Sequence, residues 1–183
     1  MKAIEMRRWT RDEYERMIAT GLFAPDERVE LIDGEILQVT PQGSFHATAI
    51  QLAGDALRVA FGPGFHVRTQ MPLALDPISE PEPDVAVVPG SPRDYREAHP
   101  TAALLVVEIA DATLVHDRQR KGSLYARAGI QEYWIVNLVD RCVEVYRDPL
   151  QGRYGSSRRY LPGDHITPLV APESKISVAD ILP

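Results

Sequence analysis

Asp84, Glu108 and Lys121 form an ordered set of two carboxylates and one ammonium. Hydrolysis of a phosphodiester at neutral pH needs carboxylates to hold a hard divalent cation and a cationic or protic group beside the attacking water. These three side chains could supply both. Asp84 opens an apolar run after Pro83, and Glu108 nearly closes another. If the two runs are neighbouring strands, the acids meet near one sheet edge with Cβ atoms roughly 5 Å apart, which is metal-bridging range. By period two, Leu104, Val106 and Glu108 share a face, so a charge continues an apolar row and requires a partner. Glu30, alternating with Val29 and Leu31, and His46, in the first turn of a helix, are two further side chains that could complete the site.

Each residue also has an ordinary reading. Glu80-Pro81-Glu82-Pro83-Asp84 reads as a solvated acidic loop, and Glu108 as a strand-end acid reaching solvent. Glu30 reads as a water-facing strand acid, His46 as a partly exposed helix-start histidine, and Lys121 as a solvated helix charge. Asp117, Lys121 and Tyr125 fall at i, i+4 and i+8, one polar stripe in which Asp117 and Lys121 can support the helix. His116 and Asp117 are discounted as a metal pair, because adjacent helical residues point about 100° apart.

The elements that must position these groups follow from pattern. Thr10-Arg11-Asp12-Glu13 is a capping box that predicts a helix over about 11–20. Asp33-Gly34, between alternating runs at 28–32 and 35–39, predicts a hairpin with a type I′ turn. Ser44 caps a predicted helix over 45–61 that Gly62-Pro63-Gly64 ends. Strands are expected at 65–70, 72–76, 84–88 and 103–109, the last two buried on both faces. A polar, proline-rich loop spans 89–100. A helix follows over 116–128, ended by Gly129, then strands at 132–137 and 142–147, a polar hairpin-like tail around 153–161, and a final short strand and turn. The order implies a mixed α/β architecture.

At 183 residues the chain is expected to form a single domain, 1–183, with 44% hydrophobic and 25% charged residues typical of globular proteins. No apolar stretch approaches the roughly 20 residues of a membrane span. Lys2, Arg7 and Arg8 are followed by acidic residues rather than an apolar leader core, so an intracellular, cytoplasmic location is expected. Cys142 is alone, which excludes an internal disulfide or a thiolate metal cluster and leaves a buried thiol. The net charge of −6 opposes tight nonspecific binding to nucleic acid. Clustered carboxylates lower that sum, however, while Arg118, Arg120, Lys121 and Arg127, or Arg153, Arg158 and Arg159, could form a basic rim. A solvated helix face or hairpin explains either cluster equally well. Phosphate-binding glycine loops, HExxH and the GxSxG elbow do not occur, so metal-assisted hydrolysis is the chemistry that remains.

Glu30-Leu31-Ile32-Asp33-Gly34-Glu35, His46, Pro83-Asp84-Val85, Val107-Glu108-Ile109, Lys121 with Tyr125, and Gly129-Ile130-Gln131-Glu132-Tyr133-Trp134 together resemble the Uma family of restriction endonucleases, a branch of the PD-(D/E)XK nuclease superfamily. The resemblance runs from about residue 10 to 182. It implies a restriction-endonuclease-like α+β core, a central mixed sheet flanked by helices, with Asp84 and Glu108 binding Mg²⁺ or Mn²⁺. Ala110 stands where the superfamily usually carries its lysine. The resemblance implies that Lys121 enters the same space from the following helix. It further implies His46 as a helix-borne metal ligand and Glu30 as an assisting acid, with Glu132, Tyr133 and Trp134 structural. The expected activity is metal-dependent cleavage of DNA, and symmetric double-strand cutting would suit a homodimer. A nonenzymatic interaction protein that keeps this fold, prompted by the acidic balance and Ala110, and a metal-dependent hydrolase of RNA or a small phosphate ester are the competing readings.

Overall fold

A computed structural model of the chain describes residues 6–39 and 42–183. Lys2, which enters the leader reading, lies outside the described residues. Thr10 Oγ1 accepts from the Glu13 amide at 3.3 Å while the Glu13 carboxylate accepts from the Thr10 amide at 3.0 Å, so the expected capping box starts α1 (Arg11–Ala19). Such a cap stabilises a helix by about 1 kcal/mol. Asp33 and Gly34 take φ of 52° and 75°, the left-handed pair of a type I′ turn, and join β1 (Val29–Ile32) to β2 (Glu35–Gln38). α2 (Ser44–Phe61) has Gly43 rather than Ser44 as its N-cap, one residue earlier than expected, and Gly62 ends it at φ 64°.

Six strands form the central sheet in the order β3 (Phe65–Thr69), β4 (Val85–Pro89), β5 (Leu105–Ala110), β6 (Glu132–Asn137), β7 (Cys142–Leu150) and β8 (Arg153–Tyr160). All neighbours are antiparallel except β5 and β6. A parallel pair needs a crossover. α3 (Leu114–His116), a π-helical turn (Asp117–Lys121) and α4 (Gly122–Arg127) provide it. The helix expected over 116–128 is therefore three conformations in series. No strand forms at 72–76. Pro72 has no N–H for a ladder, and the Leu75 amide donates locally to Leu73 O at 3.0 Å. β7 and β8 make a longer hairpin than expected, because β7 continues to Leu150.

Alternation along each strand separates two apolar layers. Val85, Val87, Leu105, Val107 and Trp134 pack beneath Ala49, Ile50, Ala53 and Leu57 of α2, and beneath α5 (Val178–Ile181). The opposite face, with Ala86, Val88, Val106, Ala110 and Ile135, packs beneath Leu124 and Tyr125 of α4 and beside Ile32 of the hairpin. Glu132, 1% exposed, accepts from Arg147, from Trp134 Nε1 at 3.0 Å and from the Leu169 amide at 2.7 Å, which ties the carboxyl-terminal segment to the sheet. Cys142 is a buried free thiol, as expected. Among the described residues no helix is long and apolar enough to cross a membrane.

Candidate active site

β4 and β5 are antiparallel with Val85 opposite Val107, so one step outward sets Asp84 opposite Glu108. Each acid is tied to a backbone amide of the other's strand end. Asp84 Oδ2 accepts from the Ile109 amide at 2.8 Å, and Glu108 Oε2 lies 3.4 Å from the Asp84 amide as its acceptor. Both side chains lie on the α4 face, where Val106, Glu108 and Ala110 form the row that the two-residue period anticipates. Gln42 Nε2 donates to Asp84 Oδ1 at 3.3 Å, and Gln70 Nε2 in turn donates to Gln42 Oε1 at 3.0 Å.

Lys121 crosses this floor from the helical layer. Its Nζ lies 3.0 Å from Glu108 Oε1 and 3.3 Å from Glu30 Oε2. Tyr125 OH donates to the same Glu108 Oε1 at 2.6 Å. The π-helical turn sets this direction. The Gly122 amide donates to Asp117 O, five residues back, and Tyr133 OH donates to that carbonyl at 3.1 Å, so the widened turn is held from the sheet below. π-turns of this kind are frequent at functional sites. Glu30 faces away from Val29 and Leu31 as expected, yet it is buried rather than water-facing. Lys121 lies against it, and its Oε2 also accepts from the Glu82 amide at 3.1 Å.

The site is acidic and poorly solvated. Burial pushes the Glu108 carboxyl up to about 8 against the pull of Lys121, and pushes Asp117 up to about 6 against Lys121 and the Thr113 hydroxyl. Burial alone would lower Lys121, but Glu108, Glu30, Asp117 and Asp84 outweigh it and hold the ammonium well above its usual value. For His46 too, burial pulls down and the Asp84 carboxylate overrides it, giving a net rise. His46 Nε2 is buried without a hydrogen-bond partner, 3.4 Å from Asp84 Oδ2. An orphaned imidazole nitrogen beside hard carboxylate oxygens fits a small divalent cation. Among the described residues no group of three or more His, Cys, Asp or Glu side chains is already closed around a cation position.

These groups line a cleft of about 570 Å³ that also admits Arg28, Asp111, His116 and Arg120. The structure thus brings together all five residues singled out in sequence, Asp84, Glu108, Lys121, Glu30 and His46. Asp117, set aside as half of an implausible metal pair, also faces the cleft. It accepts from Thr113 Oγ1 at 2.6 Å and forms no ion pair with Lys121, contrary to the expected helix-supporting contact. Its place in the i, i+4, i+8 stripe was the available signal. Gln42 had none, since it lies in an irregular segment. Arg118, Arg120, Lys121 and Arg127, which read equally as a basic rim or as a solvated helix face, are each paired with a carboxylate. Arg118 pairs with Glu144, Arg120 with Glu35 at 2.6 Å, and Arg127 with Asp33. These arginines fasten the first hairpin and β7 to the helical layer.

A mixed sheet with helices on both faces and an acid pair at adjoining strand ends defines the restriction-endonuclease-like class of folds. The chain belongs to the Uma2 family, whose model carries the description "Putative restriction endonuclease" and matches residues 11–179. The fold is shared with a crystal structure described as "a putative nuclease belonging to DUF820" from Anabaena variabilis ATCC 29413. That protein is 21% identical, and the match covers 94% of this chain and 96% of that chain with a TM-score of 0.71. No curated protein matches the chain.

Proposed function

We propose that this protein is a metal-dependent DNA endonuclease whose reaction runs in the Asp84–Glu108–Lys121 cleft. The observation that carries the proposal is the meeting of two strand-end carboxylates with one buried ammonium, Lys121 Nζ at 3.0 Å from Glu108 Oε1. Asp84 and Glu108 would hold Mg²⁺ or Mn²⁺, with His46 as the third donor and Glu30 holding Lys121 from the far side. When bound, such a cation neutralises charge on the scissile phosphate and acidifies the attacking water. The attacking water gives up a proton to solvent in the cleft as its oxygen bonds to phosphorus, one P–O ester bond breaks, and the leaving oxygen takes up a proton from solvent. Lys121 stabilises the negative charge that develops on the phosphoryl oxygens or orients the nucleophile, while Tyr125 and the Ile109 amide hold the two acids in place. Belonging to the Uma2 family supports this reading.

The test is cleavage of supercoiled plasmid with Mn²⁺, comparing the parent chain with Asp84→Ala, Glu108→Ala and Lys121→Ala. Cleavage that is lost in all three supports the proposal, and cleavage unchanged in all three refutes it. Parallel assays on RNA and on a chromogenic phosphodiester separate a DNA enzyme from a hydrolase of those substrates. The net charge of −6 and Ala110 at the usual lysine position favour a second reading, an interaction protein that keeps the fold without turnover. Calorimetry showing Mn²⁺ binding without DNA binding or cleavage would select it. We further infer a cytoplasmic protein that unfolds as one domain and pairs as a homodimer to cut both strands. Sedimentation and a single denaturation transition test the last two points.

A further inference from the structure

Arg68 lies on edge strand β3, beside but not in the lining of the cleft, and its guanidinium is incompletely hydrogen-bonded. It is 5% exposed and forms no ion pair among the described residues. Its Nη2 reaches Pro72 O at 3.3 Å and lies 3.5 Å from His99 Nδ1. Its Nε is buried with no hydrogen-bond partner at all. A guanidinium withdrawn from water with no carboxylate beside it costs several kcal/mol, so the fold leaves a counter-anion unaccounted for. Around it stand groups that suit an anion. The Tyr95 ring lies 5.6 Å from the guanidinium carbon, the His66 ring stacks on Tyr95 with centroids 6.5 Å apart, and the exposed His99 forms the rim. Burial and the Arg68 charge both lower the two histidines, and Arg58 lowers His66 further. Two acids act on this cluster, and both are engaged elsewhere. Glu15 pairs with Arg11 at 3.2 Å, and Asp94 accepts from the Ser91 amide at 2.7 Å and hydroxyl at 2.9 Å.

We propose that Arg68, His66 and His99 form a binding site for a tetrahedral oxyanion of the phosphate class. The planar guanidinium presents Nε and a terminal nitrogen as a fork that matches two phosphate oxygens, and the rim imidazoles add N–H donors. Arg68 pairs with Ala86 across the ladder, two residues along β4 from Asp84 on the same face of the sheet. The site therefore lies roughly 7 Å along the strand from the candidate active centre. It does not depend on the cleft being catalytic.

The experiment is a histidine side-chain NMR titration of the full chain in EDTA, with inorganic phosphate set against sodium chloride at matched ionic strength. Phosphate is expected to move the His66 and His99 rings saturably and to raise both of their pKa values, with His165 as the internal reference. In Arg68→Gln the saturable response disappears, while the melting transition and His165 show that the fold is kept. Should that variant fail to fold, His99→Ala at the rim serves instead. Phosphate affinity is expected to fall about tenfold, as for loss of one charge-assisted hydrogen bond. Chloride reproducing the response, or phosphate acting unchanged in His99→Ala or a folded Arg68→Gln, overturns the proposal. A short DNA duplex titrated in the same way identifies the source. Competition with phosphate at these two rings supports a backbone phosphate, and a response to phosphate alone supports a free anion.

Discussion

Replacing Lys121 by Met removes a charge while keeping most of the side chain's volume, and the geometry sets what that should cost. The ammonium sits between Glu108 and Glu30 at 3.0 and 3.3 Å, with the two carboxylate side chains 4% and 5% exposed. At an effective dielectric of about 20, each attraction is worth about 5 kcal/mol before desolvation of the lysine is set against it. Removing one partner of a buried pair destabilises by about 3–5 kcal/mol, because the remaining charge is left uncompensated. Part of that loss depends on pH. Burial raises Glu108 from its ordinary value of 4.5 to about 8 even with Lys121 present. A carboxyl raised in the folded state contributes stability that is fully present below its unfolded value and is lost as pH rises through the folded one. Lys121 opposes that rise, so its removal matters most above about pH 8 and least near pH 5, where Glu108 is protonated with or without it. Urea denaturation of Lys121→Met should therefore show a loss of about 3–5 kcal/mol at pH 8 and roughly half of that at pH 5. A loss below about 1 kcal/mol at pH 8, or an equal loss at both pH values, would refute the view that Lys121 compensates buried carboxylates.

Glu108→Gln should abolish Mn²⁺-dependent cleavage, by at least about a thousandfold, yet leave the melting temperature at pH 8 equal or higher, since a costly buried charge is gone and Lys121 retains Glu30. A fall in stability with activity retained would mark Glu108 as structural. Glu132→Ala leaves Arg147, Trp134 Nε1 and the Leu169 amide without their acceptor and should lower stability by about 3–5 kcal/mol in urea denaturation. Glu144 is raised by burial, but the Arg118 fork, Tyr146 and Asn137 outweigh that and hold it down at about 2. Its contribution is thus present above pH 4.5 and lost as pH falls towards 2, and Glu144→Gln should flatten the acid limb of a stability-against-pH curve.

Local patterns carried much of this protein in advance, because short-range chemistry needs no partner to be recognised. The Thr10 capping box, the Asp33-Gly34 turn, the Gly62 helix end and the apolar runs around Val85 and Val107 depend on neighbours within a few residues. The structure places them as expected, save for shifts of one or two residues. Period two also put Glu108 on a row with Val106, and residue chemistry together with family resemblance singled out the five residues that the fold gathers into one cleft. Pairing between distant segments was not legible. Pro72 and a local turn at Leu75 removed a strand that composition favoured. The basic cluster at 118–127 read equally as a rim for nucleic acid and as a solvated helix face. Only the tertiary structure gave Arg118, Arg120 and Arg127 their partners Glu144, Glu35 and Asp33, which lie 26, 85 and 94 residues away. The π-helical turn is of the same kind. A hydroxyl from Tyr133 on the sheet and an amide from Gly122 meet at Asp117 O, and this long-range contact turns Lys121 inward. By itself the sequence determined which groups were present and which elements could carry them. Which charges are buried, which are spent on one another and which face the cleft was decided by the packing of segments far apart in the chain, since desolvation and ion pairing depend on distances that only the folded chain sets.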